Sequence, residues 1–191
     1  MRAAIVLAVL LVLSSVGFAA PGAVEVHVAG PASVVLTSGD DVLASSAVAE
    51  GKRGCLLKGI EPGTYSVVAS ASGYASETQS VTVPEGGEAE VSFELRKLSG
   101  DDYKALGRIV GYAANAADEP IAGTTLVLIT GGAIVGSAKP VGEKGVYELE
   151  WYPPGTYAVV ATAPGYKRVV FTGQSIVAGE STRLDIELQP E

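Results

Sequence analysis

"PGTYSVVASASGY" occupies Pro62–Tyr74 and "PGTYAVVATAPGY" occupies Pro154–Tyr166, identical at ten of thirteen positions and ninety-two residues apart. A catalytic motif is rarely written twice in one chain; a structural unit often is. Each residue of the line has a physical task. Pro62-Gly63 and Pro154-Gly155 make a tight turn, proline fixing φ and glycine taking positive φ. The strand that follows sets Tyr65, Val67 and Ala69 on one face and Ser66, Val68 and Ser70 on the other, with Tyr157, Val159 and Ala161 repeating the first set. A tyrosine two residues after the turn buries its ring and bonds its hydroxyl at the sheet corner. Gly73-Tyr74 and Gly165-Tyr166 close the strand at a second turn.

Working outward, the line sits at the same place in two longer units, about Ala23–Arg96 and Leu106–Leu188. Each unit opens on an apolar stretch, "AVEVHV" or "GRIVGY", and continues into "SVVLTSG" or "TTLVLITGG". Each ends in alternation, Val91, Phe93 and Leu95 matching Leu184, Ile186 and Leu188 once one inserted residue is allowed. Apolar positions recur every second residue over short runs, broken by Gly, Pro, Ser and Asp at about ten-residue spacing, which predicts antiparallel strands in sandwiches and no amphipathic helix. The expectation is an all-β chain of two tandem sandwiches, 21–97 and 106–191. The charged stretch "RKLSGDDYK" between them supplies a solvated linker over 98–105, leaving the units close together with some freedom.

The first twenty residues, "MRAAIVLAVLLVLSSVGFAA", have the basic start, apolar middle and small-residue end of a secretory signal, with cleavage after Ala19 or Ala20. An uncleaved anchor is the competing reading, because the apolar run is near the length needed to span a bilayer. No second such run follows. Removing Arg2 leaves twelve basic against twenty-one acidic residues, a balance that repels nucleic acid and anionic membranes. One cysteine makes no internal disulfide, so stability is expected from packing.

The residues "GRIVGYAANAADEPIAGTTLVLI…GVYELEWYPPGTYAVVATAPGYKRVVF…VAGESTRLDIEL" resemble the carboxypeptidase regulatory-like domain, a prealbumin-like (transthyretin-like) seven-stranded Greek-key sandwich. The first unit resembles its shorter relative, the PEGA-type domain, in "VEVHVAGPASVVLTSG…LLKGIEPGTYSVVASASGYASETQSVTV". The resemblance implies a non-catalytic appendage of exported or cell-surface proteins, in a group classed with carbohydrate-binding-like folds, and it implies no reaction.

Little in the chain suggests chemistry. His27 is the only histidine and stands in an alternating strand, facing solvent beside Glu25. Cys55 aligns with Tyr147 at a core-facing position and reads as a buried, inert thiol. Asp40-Asp41, Asp101-Asp102 and the Asn115–Glu119 loop carry turn carboxylates without a metal-ligand spacing. No catalytic residue, metal or cofactor is expected, and a hydrolase of the transthyretin-like kind would need histidines this chain lacks.

Trp151 is the exception. The first unit has Gly59-Ile60 before its Pro-Gly turn, where the second has Trp151-Tyr152. An exposed Trp151 with Tyr152 could stack on a sugar ring or anchor a protein; the alternative is that Trp151 packs between the units or caps its own core. The function expected is therefore a non-enzymatic exported module, periplasmic, cell-surface or secreted, that binds or spaces. It would act through sandwich loops or edges, on a cell-surface glycan or on an envelope protein. Open sheet edges also leave self-association available.

Overall fold

The computed structural model describes residues 19–140 and 144–191; the expected signal segment lies outside them except for Ala19 and Ala20. No helix among the described residues is long and apolar enough to cross a membrane. The first unit holds β1 (Gly22–Val28), β2 (Ala32–Ser38), β3 (Asp41–Val48), β4 (Gly54–Ile60), β5 (Gly63–Ser70), β6 (Glu77–Val83) and β7 (Glu88–Phe93). A short helix α1 (Asp102–Ala105) follows. The second unit holds β8 (Gly107–Ala114), β9 (Thr125–Thr130), β10 (Ala133–Ala138), β11 (Val146–Tyr152), β12 (Gly155–Thr162), β13 (Val169–Ile176), β14 (Ser181–Arg183) and β15 (Ile186–Glu187).

Both units have one topology. A three-stranded sheet β4-β1-β7 faces a four-stranded sheet β3-β2-β5-β6, and β11-β8-β14 faces β10-β9-β12-β13 in the same order, β14 and β15 together standing where β7 stands. Nearly all neighbours are antiparallel, but the first strand of each unit pairs parallel with the last, β1 with β7 and β8 with β14 and β15. Two cores result, one from residues between Val24 and Phe93, the other from residues between Ile109 and Leu188. The one-residue insertion between the repeats is a bulge in β13. Tyr157 pairs with Gln174 and Val159 with Phe171, leaving Gly173 (φ 72°) as the left-handed residue on the longer side.

The repeated line behaves largely as read. Tyr65 donates its hydroxyl to the Glu61 carbonyl at 2.8 Å and Tyr157 to that of Pro153 at 2.7 Å, two matching sheet corners. Gly63 and Gly155 differ from expectation, because neither has positive φ; both begin strands. Gly63 is tight for space instead, since a Cβ there would stand 3.0 Å from the Tyr65 hydroxyl and the ring would have to shift by a few tenths of an ångström. The left-handed residues lie four positions earlier, Gly59 at φ 73° and Trp151 at φ 64°.

A third apolar cluster joins the units: Val35, Val68, Val127, Ile134 and Val160, with Val42 and Ile129 partly buried against it. Strand alternation explains it. Val34, Leu36, Val67 and Ala69 point into the first core, so Val35 and Val68 point away from it, onto the matching outward residues of β9, β10 and β12. The two four-stranded sheets are thus covered on both faces, which is why their strands read as continuous apolar runs. Burying each Val or Ile side chain contributes about 1.5–3 kcal/mol at most. The freedom expected between the units gives way to this layer. The linker is also less solvated than its composition suggests: Leu98 is buried, and Asp102 binds Arg96 at 2.9 Å and the Ser99 backbone N–H at 2.8 Å.

Candidate functional site

The end of β11 carries a bulge that both repeats share, and the residue at its left-handed position is what differs between them. Leu149 pairs with Ile109 and Tyr152 with Gly107, so Glu150 and Trp151 together oppose Arg108. In the first unit Ala23 pairs with Lys58 and Gly22 with Ile60, leaving Gly59 as the extra residue. Both bulges need one residue in the left-handed region. Glycine adopts it freely, whereas an L side chain there costs about 1–2 kcal/mol. Trp151 therefore occupies a position built for glycine.

The bulge sends its three side chains in different directions. Glu150 reaches the first unit, its carboxylate accepting from the Ser72 hydroxyl at 3.1 Å and from the Gly73 backbone N–H at 3.0 Å. Trp151 meets the Tyr103 ring of α1 edge-on, centroids 4.5 Å apart, and the Arg108 guanidinium lies 5.2 Å from its centroid. Tyr152 turns into the core, only 5% exposed, and its hydroxyl shares a 3.0 Å hydrogen bond with Ser76. The expected stacking pair is thus not presented as a pair: alternation resumes after the bulge and takes Tyr152 away from the surface that holds Trp151.

Beside this joint lies a cleft of about 580 Å³ between the units, lined by Ser33, Ser70, Ser76, Ser137, Lys139, Glu148, Glu150 and Tyr152 among others. Its hydroxyls are engaged with one another, within the first unit and across the junction. Ser137 donates to Ser33 at 2.9 Å, Ser76 to Ser70 at 2.9 Å, and the Ser137 backbone N–H to Ser70 at 3.0 Å. Lys139 donates to Ser45 at 3.2 Å and to Thr125 at 3.3 Å, and burial lowers its pKa. Burial pushes the Tyr152 phenol up, and its hydrogen bonds with Ser76 and Ser70 oppose the shift.

Glu148 and Glu150 stand on the same face, two residues apart. A hydrogen bond to the Glu150 carboxyl raises the pKa of Glu148, helped by partial burial, while Arg108 at 3.3 Å opposes the shift. An acid whose folded pKa is raised favours folding most at low pH, and that contribution is lost as pH rises through the folded value. Glu148→Gln is therefore expected to raise the thermal midpoint modestly at pH 7 and to leave it unchanged near pH 4; an equal effect at both pH values would rule out the carboxyl pair as the cause. Asp102 has the opposite sign. The Arg96 hydrogen bond, with Ser99, holds it well below the usual carboxylate range, so its contribution is present at neutral pH and lost on acidification.

The other sequence candidates lie apart from the joint. His27 is on the outer face of β1, 3.7 Å from Glu25 and 3.2 Å from Glu90. Cys55 is half-buried against the first core, and burial raises its thiol, Ser46 opposing. Asn115 uses its side-chain oxygen to accept from the Ala117 and Glu119 backbone N–H groups at 2.9 and 3.0 Å, a loop-closing role. Among the described residues no three His, Cys, Asp or Glu side chains converge as a metal site. Sequence reading places Glu150 facing outward without a partner, and passes over Tyr103 and the serine set. The signal available for the serines was the repeat spacing itself, which aligns Ser33 with Thr125 and Ser45 with Ser137.

The family match falls on the second unit. Residues 108–189 match the carboxypeptidase regulatory-like domain. That domain contains the bulge, Trp151 and most of the second core. Bacillopeptidase F of Bacillus subtilis (strain 168) is 29% identical over 104 residues, which are 54% of this chain and 7% of that protein. Among solved structures, the Bacillus anthracis TIE protein aligns with 89% of this chain and 34% of its own at a TM-score of 0.36 and 17% identity. GBS52, the minor pilin of Streptococcus agalactiae, aligns over 90% of this chain and 96% of its own at a TM-score of 0.36 and 9% identity. The chain thus spans a small part of Bacillopeptidase F and about a third of the TIE protein.

Proposed function

We propose that this chain is a non-enzymatic exported module made of two tandem sandwich domains, 21–97 and 106–191, that works as a stiff spacer and presents its loops and sheet edges to partners. The carboxypeptidase regulatory-like domain supplies the second of these; the first is read as its PEGA-type relative, a reading supported by the shared strand order. The observation that carries the proposal is the apolar layer of Val35, Val68, Val127, Ile134 and Val160, which fixes one unit against the other. Domains meant to move independently keep smaller and more polar contacts. Partners at an envelope or cell surface would meet the ends of this double sandwich, and the acidic charge favours proteins or neutral glycans over nucleic acid.

Glycan binding at Trp151 is the rival version, and the packing of Trp151 on Tyr103 and Arg108 favours the spacer. Trp151 is the sole indole, so its fluorescence decides between them. The spacer reading expects a blue emission, poorly quenched by acrylamide and unmoved by a panel of oligosaccharides. A red, easily quenched emission with a saturable shift for one sugar class would replace it with glycan recognition.

A further inference from the structure

One cation at the junction has no counter-charge. Lys139, half-buried just past β10, lines the cleft between the units. It donates to the Ser45 hydroxyl of β3 at 3.2 Å and to the Thr125 hydroxyl of β9 at 3.3 Å. The two hydroxyls share a hydrogen bond of 2.9 Å. The ion pairs among the described residues are made by His27, Arg96, Lys104, Arg108 and Arg183, which leaves Lys139 without a carboxylate partner among them. Desolvation lowers its pKa, and no neighbouring anion opposes the shift. A charge partly removed from water is stabilised by pairing. The frame itself does not need this one, because the repeat has Ala47 at the equivalent position.

The trio holds more donors than it uses. An ammonium carries three N–H donors and accepts nothing, and each hydroxyl carries one donor. Two N–H groups go to Ser45 and Thr125, and one hydroxyl hydrogen lies between the two oxygens. One N–H and one O–H are left without an acceptor among the described residues, beside a single positive charge. A carboxylate, with two oxygens in one plane, takes a bond from each, and bonds to an ionised acceptor are the stronger kind. We propose that Lys139, Ser45 and Thr125 form the carboxylate-binding end of a small-molecule site whose body is the cleft between the units. Its volume of about 580 Å³ is that of a small-ligand pocket. Glu148 and Glu150 line the same cleft and disfavour a second negative charge, while Ala47, Val48 and Val146 supply apolar wall. The ligand class is therefore a small monocarboxylate with an uncharged body. Ser45 belongs to the first unit, Thr125 and Lys139 to the second, so binding needs the joint closed. It needs neither export nor a partner at the ends of the double sandwich.

The test follows the backbone amide signals of Ser45, Thr125 and Lys139 by NMR in the full chain while butyrate, glucuronate or butyramide is added at constant ionic strength. Both acids are expected to shift these signals saturably, and butyramide, the uncharged isostere of butyrate, to leave them in place. Tighter butyrate assigns the cleft an aliphatic body, and tighter glucuronate a hydroxylated one. The thermal midpoint should rise with the bound acid, as for any ligand of the folded state alone. Lys139→Met keeps the stem without the charge and should abolish both effects, whereas Lys139→Arg should retain them in part. Ser45→Ala should weaken affinity about tenfold, the loss of one hydrogen bond to a charged group. No saturable shift with either acid, equal responses to butyrate and butyramide, or a butyrate shift that persists in Lys139→Met would each overturn the proposal. Sulfate bound as tightly as the acids would show general attraction of anions and overturn it too. The fluorescence test of the spacer is independent of all these outcomes.

Discussion

Gly136→Ala is expected to lower the thermal midpoint sharply, and Tyr152→Ile on the same chain is expected to restore much of the loss. Gly136 lies in β10 where the Tyr152 ring crosses, and an added Cβ would overlap the ring's hydroxyl and Cζ and stand 2.7 Å from its Cε1. The ring is held by the second core and by Ser76, so it has little room to retreat. Overpacking of this kind costs about 1–3 kcal/mol, occasionally more, and in a chain of this size each kcal/mol moves Tm by about 2–4 °C. The first unit has already made the compensating pair, with Ala44 equivalent to Gly136 and Ile60 equivalent to Tyr152. Tyr152→Ile alone leaves a void and should also destabilise. The double variant should then recover part of the combined loss, about 0.5–3 kcal/mol of coupling between residues in contact. Strict additivity in a melting series would show that the two positions do not share this space.

Val67→Asp and Val68→Asp are one residue apart and should fail in different ways. Val67 belongs to the first core, so a carboxylate there unfolds the first unit outright. Val68 belongs to the layer between the units, fully buried among Val35, Val127, Ile134 and Val160. An uncompensated buried charge costs about 3–5 kcal/mol, and at position 68 the chain can avoid most of it by separating the sheets and hydrating the aspartate. Calorimetry of Val68→Asp is therefore expected to show two transitions, one per unit, where the parent shows one. Val67→Asp should retain only the transition of the second unit. A single, simply lowered transition for Val68→Asp would mean that the two units are not separately stable bodies held by that layer.

Much of the fold was readable in the chain because period-two alternation and duplication reinforce each other. The faces assigned to Tyr65, Val67 and Ala69, the corner tyrosines, and the one inserted residue now located at the Gly173 bulge all follow from it. What stayed hidden was the second covered face. Val35, Val68, Val127 and Val160 are adjacent to core residues and read as parts of continuous apolar runs, which a strand buried on both faces and a simple strong strand-former share. The joint at Trp151 was legible only as a departure from the repeat. Composition marked the residue, but the bulge that turns Trp151, Tyr152 and Glu150 apart is a property of pairing with Arg108. The partners of that joint, Tyr103, Ser72 and Gly73, come from segments that sequence alone describes as loop.

The repeat gives every position a twin ninety-two residues away, and the joint is where the twins part company. Lys139 stands where its counterpart is Ala47, and Trp151 where its counterpart is Gly59. Glu150 grips a loop whose own counterpart carries Pro164 in place of Ser72, so a duplicated frame carries a joint on one side only.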